Sequence, residues 1–406
     1  MKGLQDIIDK SQKKRLFKKW LYHHLSSTVF YICLIAFFWY AAHPTWIEKR
    51  LFVNEIFSLI GFYLFLSKPV LHRKNDCIYN CVIFIIFVFS VYAFASLMFF
   101  ESFYGYLRNT VLVYSVFSFF LGIKLYDALM KIGKKNLLLI SAFLPSGDFY
   151  RTSYAAMLPL YLSKHAKRFN WWTVLIIITI MLGVKIYYGG STSIAVILLL
   201  IFFYILNNKF KLPALIIVIS LAILFFIFMQ PHLYALTNAY NLYDLLETNF
   251  IFRIDGNTTT RAFMWAYLLY EVFLDNVMGI GLGTIMFPRE FYHDKMRMWE
   301  ILDPYLEYTL GAHNSFLTVL VRFGFIGVLP FIILYGRVIK DFVADKGDPT
   351  KRYMLYFYFS FLIISGCALV AVVLESPLHA SLYWGSLGIL YKAKKTYACN
   401  LEDVYL

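Results

Sequence analysis

Apolar and polar positions alternate along the chain on the scale of membrane spans. Twelve apolar stretches stand out: 26–42, 51–67, 77–99, 109–126, 136–146, 152–163, 171–188, 192–207, 212–230, 314–336, 353–374 and 378–392. A spanning helix needs roughly 17–25 mostly apolar residues. The pair 136–146 and 152–163 falls short of that, and Pro145-Ser146-Gly147-Asp148 between its members reads as a turn. Most connections are brief and basic. The exception is 231–312, the only large polar segment. Within it Phe263, Met264, Tyr267, Leu268, Val272 and Phe273 recur at three-to-four spacing, which predicts an amphipathic helix lying in the membrane interface. Thr258, Thr259 and Thr260 are expected to cap that helix, and Gly279-Ile280-Gly281-Leu282-Gly283 to end it. The expected fold is therefore an all-α integral membrane protein of about 12 transmembrane helices with one large loop.

Composition agrees with this pattern. The 406 residues are 60% hydrophobic, 20% aromatic and only 15% charged, with a mean hydropathy of +0.64; soluble domains run at roughly 25% charged. The net charge of +14 raises the question of nucleic acid. No basic helix or soluble domain is there to present such a charge, whereas cytoplasmic loops of membrane proteins collect Lys and Arg. Cys33, Cys77, Cys81, Cys367 and Cys399 show no zinc-like spacing, so neither metal nor disulfide is expected.

Most of the 38 Lys and Arg residues fall in 1–25, 68–76, 127–135, 164–170, 208–211, 337–352 and 393–406 or at their edges. That asymmetry puts both ends inside. The layout is then a basic cytoplasmic N-terminus at 1–25, nine spans over 26–230, an outer loop at 231–312, three spans over 313–392 and a cytoplasmic tail at 393–406. Arg151, Lys185, the Gly189–Ser193 turn, the loop and His313 fall on the outer face. Charges that ignore the positive-inside bias point to a functional site there.

The chemistry-bearing residues resemble a known family. Thr260-Arg261-Ala262-Phe263-Met264-Trp265, followed by Phe273, Gly279, Gly281 and Gly283, is similar to the loop of the bacterial O-antigen polymerase and O-antigen ligase superfamily, the Wzy and WaaL proteins. His313-Asn314, nine residues on Gly324, then Gly327, is similar to its histidine motif. The resemblance is close over about 240–335. One departure is the turn Gly190-Ser191-Thr192-Ser193, where Thr192 stands in place of the family's usual arginine; either the chain uses one cation fewer, or Lys185 or Arg151 supplies it.

The resemblance implies a GT-C-like, inverting glycosyltransferase of the inner (cytoplasmic) membrane that needs no metal or other cofactor. Its donor would be a glycan on undecaprenyl diphosphate. A polymerase passes that glycan to a lipid-linked repeat unit, with a chain-length regulator as a candidate partner; a ligase passes it to lipid A-core. Such a donor carries a good leaving group, so the enzyme must activate a hydroxyl and stabilise diphosphate charge. Histidine suits the first task and arginine the second. His313 and Arg261 are the catalytic candidates. Arg151, Lys185, Arg253, Asn314, Trp265 and Arg289 are candidates for binding diphosphate or glycan. The competing structural readings are an interfacial anchor for His313, a solvated or lipid-phosphate charge for Arg261, ordinary loop charges for Arg253 and Arg289, and packing for Trp265. Arg322 is expected to be structural, with Glu375 a conceivable partner, and Gly324 and Gly327 to allow close helix packing. His313-Asn314-Ser315-Phe316-Leu317 looks more like the polymerase form of the motif. A flippase or other transporter is the alternative of another class, but the span centres are mostly Phe, Ile and Leu, and polar groups crowd one face.

Overall fold

The computed structural model describes residues 53–67, 76–132, 256–288, 291, 312–345, 352–369 and 372–405. Every regular element among the described residues is helical. Three helices there are long and apolar enough to cross a bilayer, at Cys77–Ser96, Phe103–Tyr126 and Ser315–Phe342. The described residues have the make-up of an all-α membrane protein.

In chain order the helices are α1 (Val53–Ser67), α2 (Cys77–Ser96), α3 (Phe103–Asn109), α4 (Val111–Tyr114), α5 (Ser118–Ile132), α6 (Gly256–Tyr267), α7 (Ser315–Asp345), α8 (Arg352–Ala368) and α9 (Pro377–Tyr405). Helices α3 to α5 follow one another through a tight turn at Ser115–Phe117. The span read as 109–126 thus starts earlier, at Phe103, where Ser102 Oγ accepts from Gly105 N at 3.2 Å. α9 continues through 393–405, beyond the apolar stretch that predicted it.

Small residues let these helices approach closely, as packing within a bilayer requires. A Cβ on Gly388 would lie 2.0 Å from the Phe119 carbonyl oxygen, and one on Gly122 would lie 2.1 Å from that of Gly385. α5 and α9 are therefore interlocked backbone to backbone. Tyr391 of α9 closes the contact against the rings of Phe119 at 5.4 Å and Tyr79 at 6.2 Å. α2 packs on α7 through Phe89 stacked on Phe323, with ring centroids 4.0 Å apart. One buried core runs through α2, α5, α7, α8 and α9.

α7 is not one straight helix. Gly324 sits at φ 63°, ψ −164°, a conformation that glycine adopts without the steric cost an L side chain meets. The break frees carbonyls above it, because the N–H groups four residues on no longer point back along the axis. The Gly279–Gly283 loop takes them up: Ile280 N donates to Val321 O at 2.9 Å and Gly281 N to Arg322 O at 3.0 Å. Gly279 (φ 93°) and Gly324 make the approach possible. A Cβ on Gly279 would meet Arg322 O at 2.5 Å, and one on Gly324 would meet Val277 O at 2.5 Å. The two glycine motifs are halves of one contact. Gly324 thus serves a helix break as well as close packing.

Candidate active site

The head of α7 is built by Asn314. Its Oδ1 accepts from the backbone N–H groups of Phe316 and Leu317, both at 3.1 Å. This is the N-cap arrangement, satisfying two of the donors that a helix start leaves unpaired. The preceding residue, His313, is at φ 51°. Left-handed backbone costs a non-glycine residue of order 1–3 kcal/mol, and it persists only where the surroundings impose it. Here they do: Ala312 on one side is fully buried and Asn314 on the other is engaged in the cap.

The amphipathic helix predicted in the large loop is α6. It starts at Gly256, so Thr258, Thr259 and Thr260 lie in its opening turns and do not precede it as caps. The first turn has no intrahelical N–H bonds to lose, so threonines that disfavour a helix interior cost little there. After Tyr267 the helix widens into a π-helical turn, Leu268–Phe273. Its apolar face buries Phe263, Met264, Ala266 and Leu268 against Ala312, Leu317 and Val321 of the α7 head, with Phe287 and Phe291 closing the cluster. Trp265, half-buried, donates its Nε1–H to the Ala312 carbonyl at 2.6 Å. α6 is thereby fixed to the residue immediately before His313.

That docking brings the two catalytic candidates together. Burial, and secondarily the positive charge of Arg261, hold the His313 imidazole below its ordinary pKa. Since that ordinary value is about 6.5, the ring is largely neutral at pH 7 and able to accept a proton. An arginine beside it stays charged and offers a planar fork to phosphate oxygens. The Arg261 charge thus acts on the His313 ring.

Beneath this pair lies a polar layer that the sequence reading did not assign to the site. The buried Ser315 hydroxyl donates to Glu375 Oε2 and accepts from Val373 N at 2.8 Å and Leu374 N at 3.0 Å. It clamps the turn before α9 to the α7 head. Burial pushes the Glu375 carboxyl up, while the Ser315 and Thr318 hydroxyls and the Arg322 charge act the other way. Arg322, 2% exposed, donates through Nη1 to Gly281 O at 3.0 Å and Thr284 O at 2.7 Å. Glu101 and Glu375 supply the opposite charge around it. The structural role expected for Arg322 thus has the glycine loop as its direct partner, with Glu375 acting on it through charge. One signal was available in the sequence: Arg322 is the only charged residue between Asn314 and Gly336.

Of the residues singled out from sequence, His313, Arg261, Asn314 and Trp265 meet at this one place. Arg151, Lys185, Arg253 and Arg289, and the Thr192 turn, lie outside the described residues.

Residues 173–332 match the model of a family described as O-antigen ligase. The match takes in α6, the glycine loop, His313, Asn314 and Gly324. No curated protein shows significant similarity to the chain.

Proposed function

We propose that this chain, whose residues 173–332 match the family described as O-antigen ligase, is a polysaccharide polymerase of the O-antigen polymerase and ligase superfamily. In this reading it is a metal-independent, inverting glycosyltransferase with about twelve spans and a GT-C-like arrangement. It moves a glycan from undecaprenyl diphosphate to a lipid-linked repeat unit on the outer face of the inner membrane, with both termini cytoplasmic.

The observation that carries the reading is the docking of the Arg261 helix onto the residue next to His313, which leaves a neutral imidazole beside a cation. His313 takes the proton of the acceptor hydroxyl as that oxygen attacks the anomeric carbon. The glycosidic bond to the lipid diphosphate breaks, and Arg261 stabilises the charge left on the departing diphosphate. Attack from the face opposite the leaving group inverts the anomeric centre. The apolar helices hold the lipid tail while sugars reach the loop. Arg151, Lys185, Arg253 and Arg289 are proposed to assist at the diphosphate or glycan, with Lys185 or Arg151 standing in for the arginine missing at Thr192.

The ligase reading, with lipid A-core as acceptor, keeps the same chemistry, and the family match is compatible with both. The surface glycan separates the two. The gene is deleted and then restored as wild type, Arg261→Ala or His313→Ala, with membrane levels checked. Core bearing a single repeat in the deletion, and no ladder from either variant, supports the polymerase and both residues. Bare core with accumulated lipid-linked polymer identifies a ligase. A normal ladder from well-expressed variants refutes the mechanism.

A further inference from the structure

A buried arginine in a membrane span needs partners, because removing a guanidinium from water is costly unless its charge and donors are met. Arg322 spends its Nη1 donors on the carbonyls of Gly281 and Thr284, which belong to the loop leading away from α6. The same loop gives two N–H groups to the carbonyls freed by the break at Gly324. Loop and helix are thus closed on each other from both sides, around an arginine and a pair of facing glycines. Among the described residues the loop's other anchors are hydrogen bonds from Tyr92 Oη to Met278 O at 2.6 Å, Leu282 N to Ser96 Oγ at 2.8 Å, Ile285 N to Glu101 Oε2 at 3.0 Å, and Glu101 N and Ser102 N to Gly283 O at 3.2 and 3.3 Å. All of these tie it to α2 and the turn after it. Among the described residues, its hydrogen bonds to the helix that carries His313 are those around Arg322.

We propose that Arg322 is a positioning residue, which through the carbonyls of Gly281 and Thr284 sets where the Arg261 helix rests against His313. Among the described residues, hydrogen bonds hold α6 to α7 at two places, alongside a ring contact of Phe273 with Phe325 at 5.2 Å. One is the Trp265–Ala312 bond with the apolar cluster around it, next to His313. The other is this clasp, reached through the π-helical turn. With one attachment α6 can pivot about the α7 head; with two its angle is fixed, and with it the reach of Arg261. The break at Gly324 belongs to the device, since an unbroken helix would present no free carbonyls for the loop to cap. The charged groups facing the device are Arg261 toward His313, and Glu101 and Glu375 toward Arg322. The inference rests on the reading of Arg261 and His313 as the reacting pair, but its first test does not need turnover.

The test uses the full-length protein in lipid nanodiscs. Diethyl pyrocarbonate modifies neutral imidazole, so the pH dependence of its reaction at His313, read by peptide mass spectrometry, reports how strongly Arg261 acts there. Arg261→Gln sets the upper reference. Arg322→Met and, independently, Gly324→Ala are expected to move the His313 midpoint up toward that reference. Arg322→Lys, which can still donate to both carbonyls, should stay at the wild-type midpoint. Asp341→Ala, at the far end of α7 where Arg337 and Lys394 meet Asp341, controls for loss of stability without loss of the clasp and should leave the midpoint unchanged. Should Arg322→Met not fold, Gly324→Ala and Arg322→Lys decide. Wild-type midpoints in folded Arg322→Met or Gly324→Ala, or a Lys variant no better than Met, overturn the proposal.

Transfer is then followed with lipid-linked oligosaccharide extracted from a host lacking the gene. Arg322→Met is expected to lower kcat at least about tenfold with little change in donor KM, and Arg322→Lys to restore it to within about threefold. If His313→Ala transfers normally, the proposed reaction fails whatever the midpoints do. If His313→Ala is inactive while Arg322→Met keeps wild-type kcat and midpoint, the reaction stands and only the positioning role fails.

Discussion

Replacing Ser315 by alanine is expected to cost far more stability than one hydroxyl suggests. Ser315, Val373 and Leu374 are all at most 1% exposed. The hydroxyl accepts from the N–H groups of both Val373 and Leu374 while donating to Glu375. Alanine leaves two buried N–H donors without an acceptor, at about 1–3 kcal/mol each, so about 2–6 kcal/mol together. It also removes a donor from a carboxyl that burial already disfavours in its ionised form. Against a typical total of about 5–15 kcal/mol this is a large share. Thermal unfolding of the purified protein in detergent should fall by roughly 2–7 °C, since an unfolding entropy of about 2.1 cal/mol/K per residue over 406 residues makes each kcal/mol worth about 1.2 °C. Glu375→Gln keeps an acceptor for the Ser315 hydroxyl and should lose much less than Glu375→Ala. A Ser315→Ala melting point within about 1 °C of wild type would refute the argument, because it would mean the turn before α9 finds other acceptors at no cost.

The remaining predictions concern the site and the helix contacts. The acid limb of kcat/KM should lie below the ordinary histidine value of about 6.5 and move upward in Arg261→Gln, because the neutral form of His313 is the active one and the arginine charge favours it. Donor diphosphate should offset that charge, so the limb in kcat should lie above the limb in kcat/KM; coincident limbs would count against Arg261 holding the diphosphate. Asn314→Ala should lose about 1 kcal/mol of stability with the cap, while Asn314→Asp keeps it; a stable but inactive Asp variant would move Asn314 from scaffold to substrate contact. Gly388→Val drives a branched side chain toward the Phe119 carbonyl and should reduce folded protein in the membrane, by fluorescence-detected gel filtration, whereas Gly336→Ala, with open space around it, should be silent.

Among the described residues, helix existence was legible where an apolar run was long. The runs at 51–67, 77–99 and 314–336 are helices at Val53–Ser67, Cys77–Ser96 and Ser315–Asp345. Their composition alone decides it, since lipid offers backbone groups no partner outside the helix. The helix of the large loop was legible from its spacing, but its start was not. Thr258–Thr260 look like caps by type, yet packing of Phe263 and Met264 on the α7 head extends the helix to Gly256. His313 and Arg261 could be named from residue chemistry and resemblance; that one acts on the other depends on Trp265 reaching Ala312, 47 residues on. The clasp was the least legible part. Gly279 and Gly324 each read as a local feature, and only the folded chain reveals that each makes room for the other.

The interlock of α5 with α9 has a consequence for how the protein is made. Gly122 and Phe119 are synthesised some 270 residues before Gly388, yet their backbones lie against α9 with no space for even a methyl group between them. Until the ribosome has released α9, the groove on α5 has no protein to fill it. The early helices must wait in the bilayer with that groove covered by lipid or by a chaperone. A mutation that weakens α9 would then act in the cell as a failure of assembly, with the early half inserted and cleared by proteases, well before any change in sugar transfer could be measured.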